Sequence, residues 1–372
     1  MMKRLTLFFL LHCCCQLAFA GGGVGNVIKK LGTIIDHATR KGIDSTYIIV
    51  PQKPWQLISR TNVNQTTYYM DAVLVNDPEI IEYKIDFEPT LTTGVGMSTG
   101  LWLGYRGYGL GYLKSISKND DYNFSLSACG SKYGLNFRLR HYDATKMDLH
   151  FVASFPGLED PEFQNIEMDE NVDLEAPISY KTMFVEGYYL FNGKRYSNTA
   201  VFDQSVQQVK SAGSLMAGFT WFKSTVEYAN QESATIIDFM NNVGQTKQWQ
   251  FAVGAGYAYN WVPQRNWLLS IQAMPMLTLL NHIKTWEYKL DYHDMEESED
   301  GEYPSPTLIP DKVETKKSHI MPGGVARAGV VYNHKQFFVT AGGQISTYGY
   351  KHDNNSLRLV DWYANASLGV RF

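Results

Sequence analysis

The amino-acid sequence predicts an all-β protein: a transmembrane, antiparallel up-and-down β-barrel of about 12 strands (roughly 10 to 14), with a short N-terminal amphipathic helix. Three observations carry this reading. Apolar and polar residues alternate with a period of two over segments of about 11 to 16 residues, whereas strands of soluble domains usually run to five or six. Large aromatic residues stand at both ends of such segments, as amphipathic rings do at the two membrane–water boundaries. The chain also ends in an alternating segment whose last residue is Phe372.

Composition supports strands rather than helices as the membrane-crossing elements. Aromatics make up 14% of the 372 residues, with 24 Tyr and 31 Gly. No segment after the N-terminus holds the roughly 18 to 20 uninterrupted apolar residues that a membrane helix needs. The mean hydropathy of -0.25 agrees. A net charge of -4 leaves no electrostatic footprint for nucleic acid, and no such partner is expected.

Residues 1–20 read as a secretory signal. Lys3 and Arg4 form the charged start, residues 5–11 the apolar centre, and Ala18-Phe19-Ala20 the small-residue cleavage site. A lipoprotein signal on Cys13, Cys14 or Cys15 is the alternative, but Leu11 and His12 stand where small residues are expected. Removal of the signal leaves Cys129 as the one cysteine, so stability must come from packing and backbone pairing rather than disulfides. Residues 21–50 form a short periplasmic segment. Within it Val27, Ile28, Leu31, Ile34, Ile35 and Ala38 recur at helical spacing.

Residues 51–372 form the barrel. Ile81, Tyr83, Ile85, Phe87 and Pro89 alternate with Glu82, Lys84, Asp86 and Glu88. Tyr133, Leu135, Phe137 and Leu139 oppose Asn136, Arg138 and Arg140. From Trp249 to Trp261 an aromatic-capped apolar face opposes Gln248, Gln250, Gly254 and Asn260. Tight turns are read at 263–266 and 333–335, and long polar external loops at 155–177, 230–246 and 284–317. The link over 192–214 breaks this alternation, because it is long where a short periplasmic turn is due.

In the last segment Val360, Trp362, Leu368, Val370 and Phe372 share one face. A barrel must close, since lipid satisfies no backbone N–H or C=O. These five residues are read as the signal by which the barrel assembly machinery engages the closing strand. Such an ending is typical of Gram-negative outer-membrane barrels, which gives the expected location and the expected partners, the lipid bilayer and lipopolysaccharide.

The stretches Tyr196-Ser197-Asn198-Thr199-Ala200-Val201-Phe202 and Gln207-Gln208-Val209-Lys210-Ser211-Ala212-Gly213-Ser214 resemble a Bacteroidetes family of exported proteins, domain of unknown function 4421. Asp44-Ser45-Thr46-Tyr47-Ile48 and Gly94-Val95-Gly96-Met97 are similar to it too. The resemblance spans roughly residues 44–372. It implies an outer-membrane barrel and no particular chemistry.

Candidate functional groups follow from the alternation. Glu82, Lys84, Asp86, Glu88, Arg138 and Arg140 are expected in the lumen, as bracing ion pairs or as a polar constriction. Arg106 follows the same rule. The acidic stretch 159–175 offers carboxylates for Ca²⁺ or for divalent ions shared with lipopolysaccharide, without EF-hand spacing. His293 among carboxylates is a weak metal candidate. Histidines near strand ends, such as His141, His150 and His282, meet no Gly-x-Ser-x-Gly elbow, zinc motif or phosphate loop. No catalytic residue, metal site or cofactor is therefore assigned. A narrow channel or carrier for a small or lipidic solute is the first expectation. A barrel-embedded hydrolase of lipid or envelope polymer, and a surface-binding or envelope-structural protein, are the alternatives.

Overall fold

The computed structural model describes residues 42–75, 84–116, 122–154, 165–227, 242–291, 307–318, 320–352 and 355–372. The segment read as a signal, the helix read over residues 27–38, Glu82 and His293 lie outside them.

In chain order the strands are β1 (Ile48–Ile49), β2 (Trp55–Val75), β3 (Lys84–Thr92), β4 (Gly96–Tyr105), β5 (Tyr108–Ser115), β6 (Tyr122–Cys129), β7 (Tyr133–Ser154) and β8 (Asn165–Leu190). A single helical turn, Thr199–Phe202, follows. Then come β9 (Gln207–Gln208), β10 (Ala212–Glu227), β11 (Val243–Trp261), β12 (Trp267–Asp291), β13 (Thr307–Lys317), β14 (Met321–His334), β15 (Phe337–His352) and β16 (Asn355–Arg371).

Twelve of these strands form a closed antiparallel ring: β2, β4, β5, β6, β7, β8, β10, β11, β12, β14, β15 and β16. The last strand closes it on the first, in register from Ser356↔Asp71 to Arg371↔Gln56. The seam continues to the terminus, where Phe372 and Trp55 exchange both backbone hydrogen bonds. Every N–H and C=O along the joint is thus paired inside the wall.

Several short turns lie at the end that holds the chain terminus. Arg106 and Gly107, both at positive φ (53° and 90°), make a two-residue turn between Tyr105 and Tyr108. Such turns match the right-handed strand twist, and the second position suits glycine. Asn266 and Lys335, also at positive φ, shape the turns before β12 and β15.

Several boundaries differ from the sequence reading. Residues 165–177 and 284–291 were expected in loops but are strand, so the β7–β8 and β12–β13 hairpins run on past the ring. Residues 166–171 are all exposed. A strand with water on both faces has no reason to alternate, so periodicity cannot reveal it. The alternating stretch 81–89 also takes a different place. Its described part, β3, is not a ring strand: it bridges β2 and β7 alongside the shorter β4–β6 panel. Lys84, Asp86 and Glu88 therefore stand on a bridging strand rather than in the wall.

The long link over 192–211 folds back into the ring. Gln207–Gln208 pairs with Ile48–Ile49 as a small second sheet. The helical turn beside it is buried, and Val201 and Ala200 pack with Ile48, Val206, Leu268 and Val331. Link and N-terminal segment together fill the mouth at the terminus end.

A polar chamber inside the barrel

Polarity is inverted relative to a soluble protein. Outward-facing Leu215, Ile271 and Leu368 are 63%, 65% and 60% exposed, while inward-facing Gln250 and Asn260 are fully buried. At the terminus end Trp55, Tyr133, Trp261, Trp267 and Phe372 ring the outer surface, and Tyr69 and Trp249 stand exposed toward the other end. Leaving this apolar belt in water would cost about 25 cal/mol per Å². Lipid removes that cost, and aromatic rings suit its two boundaries.

The interior is layered. Toward the end away from the terminus Tyr68, Tyr142, Tyr180, Phe184, Phe222 and Tyr348 form one apolar cluster. Tyr68 and Tyr142 both stack on Tyr180, at 5.0 and 5.3 Å between ring centroids, and Phe222 stacks on Tyr348 at 5.2 Å. This layer packs across the lumen on that side.

A charged layer lies beneath it. Arg140 on β7 pairs with Asp361 on β16 at 2.5 Å, and Thr66 donates to the same carboxylate oxygen. Arg138 and Arg327 both pair with Glu186, at 3.3 and 2.6 Å. Gln344 donates to Glu186 and accepts from Arg327 Nε. Arg138 also lies over the rings of Phe184 and Tyr363, each 5.0 Å away. Arg138 and Arg140, picked out by alternation, are both buried inside the ring. The same rule applied to β8, β14 and β16 would have found Glu186, Arg327 and Asp361. Arg106 is buried at the terminus-end rim, where it donates to the Pro51 carbonyl at 2.7 Å.

Between the charged layer and the link lies a chamber of about 110 Å³. Arg60, Arg138, Glu186, Asn198, Asp203, Arg327 and Tyr363 line it, with Ser127 and Cys129 on the β6 side. Trp102 fills the neighbouring wall, lying across Gly104, Gly109 and Gly111, where a Cβ would collide with the indole. Arg60 has no carboxylate within ion-pairing distance among the described residues; it donates to Ser367 Oγ at 3.2 Å and reaches the Phe202 carbonyl at 3.5 Å. Burial pushes the Asp203 carboxyl up to about 6, against the backbone N–H of Ser205 and the charge of Arg60, which favour its ionised form.

The link is tied to the wall by the penultimate residue. Arg371 donates from Nε to the Gln204 carbonyl at 3.0 Å and from Nη2 to Gln204 Oε1 and Asn333 Oδ1. Gln56 donates to the same Gln204 carbonyl. Arg371 sits on the polar face of the terminal strand, opposite the aromatic face that carries Trp362 and Phe372.

Two further groupings lie outside the chamber. His141 Nε2 is 3.2 Å from Ser179 Oγ, with no carboxylate bonded to the other ring nitrogen. His150, Glu167 and Asp169 could share one cation, but all three are on the open hairpin β7–β8. The remaining part of the acidic stretch, 159–164, is outside the described residues.

A closed ring with an apolar outer belt and a polar interior defines a membrane-spanning β-barrel. Within that class the chain belongs to the family described as domain of unknown function (DUF4421), which matches residues 42–372. No curated protein matches it. Among solved structures it is similar to the translocator domain of the autotransporter NalP from Neisseria meningitidis, at 8% identity and a TM-score of 0.31, over 94% of this chain and 96% of that one. It is also similar to the outer membrane protease OmpT from Escherichia coli, at 9% identity and a TM-score of 0.34, over 87% and 97%. A third is the outer membrane protein OprG from Pseudomonas aeruginosa, at 10% identity and a TM-score of 0.25, over 87% and 99%.

Proposed function

We propose that this protein is an integral outer-membrane barrel that works as a narrow, gated passage for a small polar solute and is closed at rest. The chamber carries the reading. A barrel that served only as an anchor would gain from pairing or removing every buried charge, because burial of an unpaired ion is costly. Here Arg60 and Asp203 face open space instead. The closure at the terminus end is a link, not a wall strand, so it can leave without opening the ring. Twelve strands also enclose more room than eight, whose interior side chains just fill, and less than the 16 to 18 of an open porin. In this reading the mouth filled by the link is periplasmic, the signal segment exports the chain, and the assembly machinery engages its last strand.

Ser205 and Cys129 line one small pocket between link and wall, which offers a lock. In Ser205→Cys, oxidation onto Cys129 should fix the link in place. Wild-type protein in liposomes is expected to pass small sugars or ions, and the oxidised variant is expected to lose that flux and regain it on reduction. No flux from folded wild-type protein, or flux indifferent to the lock, overturns the reading.

A second reading rests on the β7–β8 and β12–β13 hairpins, which project beyond the ring with charged, exposed surfaces. They are the part that would contact lipopolysaccharide or another surface partner.

A further inference from the structure

We propose that the chamber is a binding site for a small oxyanion, a phosphate or a short carboxylate, held chiefly by Arg60. Three guanidiniums line the space, Arg60, Arg138 and Arg327, against two carboxyls, Glu186 and Asp203. Arg138 and Arg327 share Glu186, so one acid already serves two cations. Arg60 keeps its positive charge directed at the cavity with only neutral oxygens bonded to it. A guanidinium presents planar, paired donors that match the oxygens of a carboxylate or phosphate.

The cavity lining has spare hydrogen-bonding capacity as well. Asn198 is buried and its Oδ1 accepts from no group, and the Ser127 hydroxyl is likewise unpartnered. Ser127 can donate to an anion oxygen, and Asn198 can accept from a protonated one. Buried polar atoms left unpaired are destabilising, and a ligand with both kinds of oxygen would relieve that. The volume of about 110 Å³ sets the size. A buried water needs roughly 10–15 Å³ of such space, so the chamber exceeds a single-water site yet excludes a nucleotide.

This inference deepens the passage reading, naming the class of solute at its chamber, but it concerns binding and not flux. The test keeps the two apart. The protein is refolded into detergent micelles with radiolabelled inorganic phosphate or acetate present, so that loading does not require the closures to open. Free ligand is then removed and bound label counted, with chloride as competitor. Folding is checked by migration in SDS without boiling. Arg60→Gln breaks no ion pair, although it withdraws the charge that favours ionised Asp203, and Asp203→Asn removes a carboxylate that would compete with the anion. Saturable retention of one molecule per barrel is expected. Arg60→Gln should weaken it at least tenfold and Asp203→Asn should strengthen it. Phosphate retained over acetate would assign a phosphoryl ligand, and the reverse a carboxylate. Folded wild type that retains neither, or an Arg60→Gln variant that binds equally well, overturns the site whatever the flux result.

Discussion

Asp203 is the residue on which the seated link depends most directly on pH. Its neighbours across the chamber floor are Arg60, Arg371, Tyr188, Cys129 and Ser205. Burial raises its carboxyl from the usual 3.8 to about 6, so the seated link holds the proton more tightly than a released, solvated link does. Seating is therefore most favourable below pH 4 and weakens as pH rises through about 6, by on the order of 3 kcal/mol at 1.36 kcal/mol per unit. Hydrogen exchange over residues 194–209, corrected for intrinsic rates, should be faster at pH 7 than at pH 4.5 by roughly tens of fold. Asp203→Asn stays neutral throughout, so its protection should match that of the acid form at both values. Equal exchange in the wild type at the two pH values would show that Asp203 does not couple to the link. At this scale alternation found Arg138 and Arg140, because they sit on wall strands. It could not find Asp203, because a link has no period to read.

The wall strands were legible wherever lipid lies on one side and the lumen on the other. The segment from Trp249 to Trp261 alternates in the structure as in the sequence, with Tyr257 exposed and Ala258 buried. Beyond the belt that contrast is lost, and strand was read as loop. The outer part of the β12–β13 hairpin illustrates the energetic consequence. Its Lys289–Asp311 pair, at 2.7 Å, joins a lysine in open solvent to a partly exposed aspartate. Such exposed pairs contribute about 0–1 kcal/mol. Excision of residues 288–311, with Glu287 joined to Lys312 through an Asn-Gly turn, should leave the ring intact and shift its urea midpoint by less than about 1 kcal/mol equivalent. Loss of the folded form would mean that the hairpin supports the barrel and is not an appendage.

For the molecule as a whole, closure is the stabilising event. Among the described residues no strand edge remains in the ring once β16 meets β2, and no disulfide assists, since Cys129 is a free, buried thiol. A ring of this kind unfolds only by breaking many backbone hydrogen bonds together, away from water. The purified protein should migrate faster in SDS before boiling than after. Deletion of residues 355–372 should abolish that shift, because β15 and β2 would both be left as open edges. A soluble periplasmic product with no shift would exclude the membrane barrel and the passage with it.

The sequence alone determined the all-β class, the membrane-crossing period, the closing strand and the polarity of the wall faces over 133–140, 249–261 and 360–372. Those properties are local: they depend on which side of one strand meets lipid, and a period of two records that directly. The tertiary structure decided what the lumen contains. Alternation can place Arg60, Arg138 and Arg327 inward, but it does not say that the last two share Glu186 while Arg60 faces open space. Nor does it say that the link over 192–211 turns back to close the chamber. Those contacts join residues such as Gln204 and Arg371, 167 positions apart, and depend on how the ring closes.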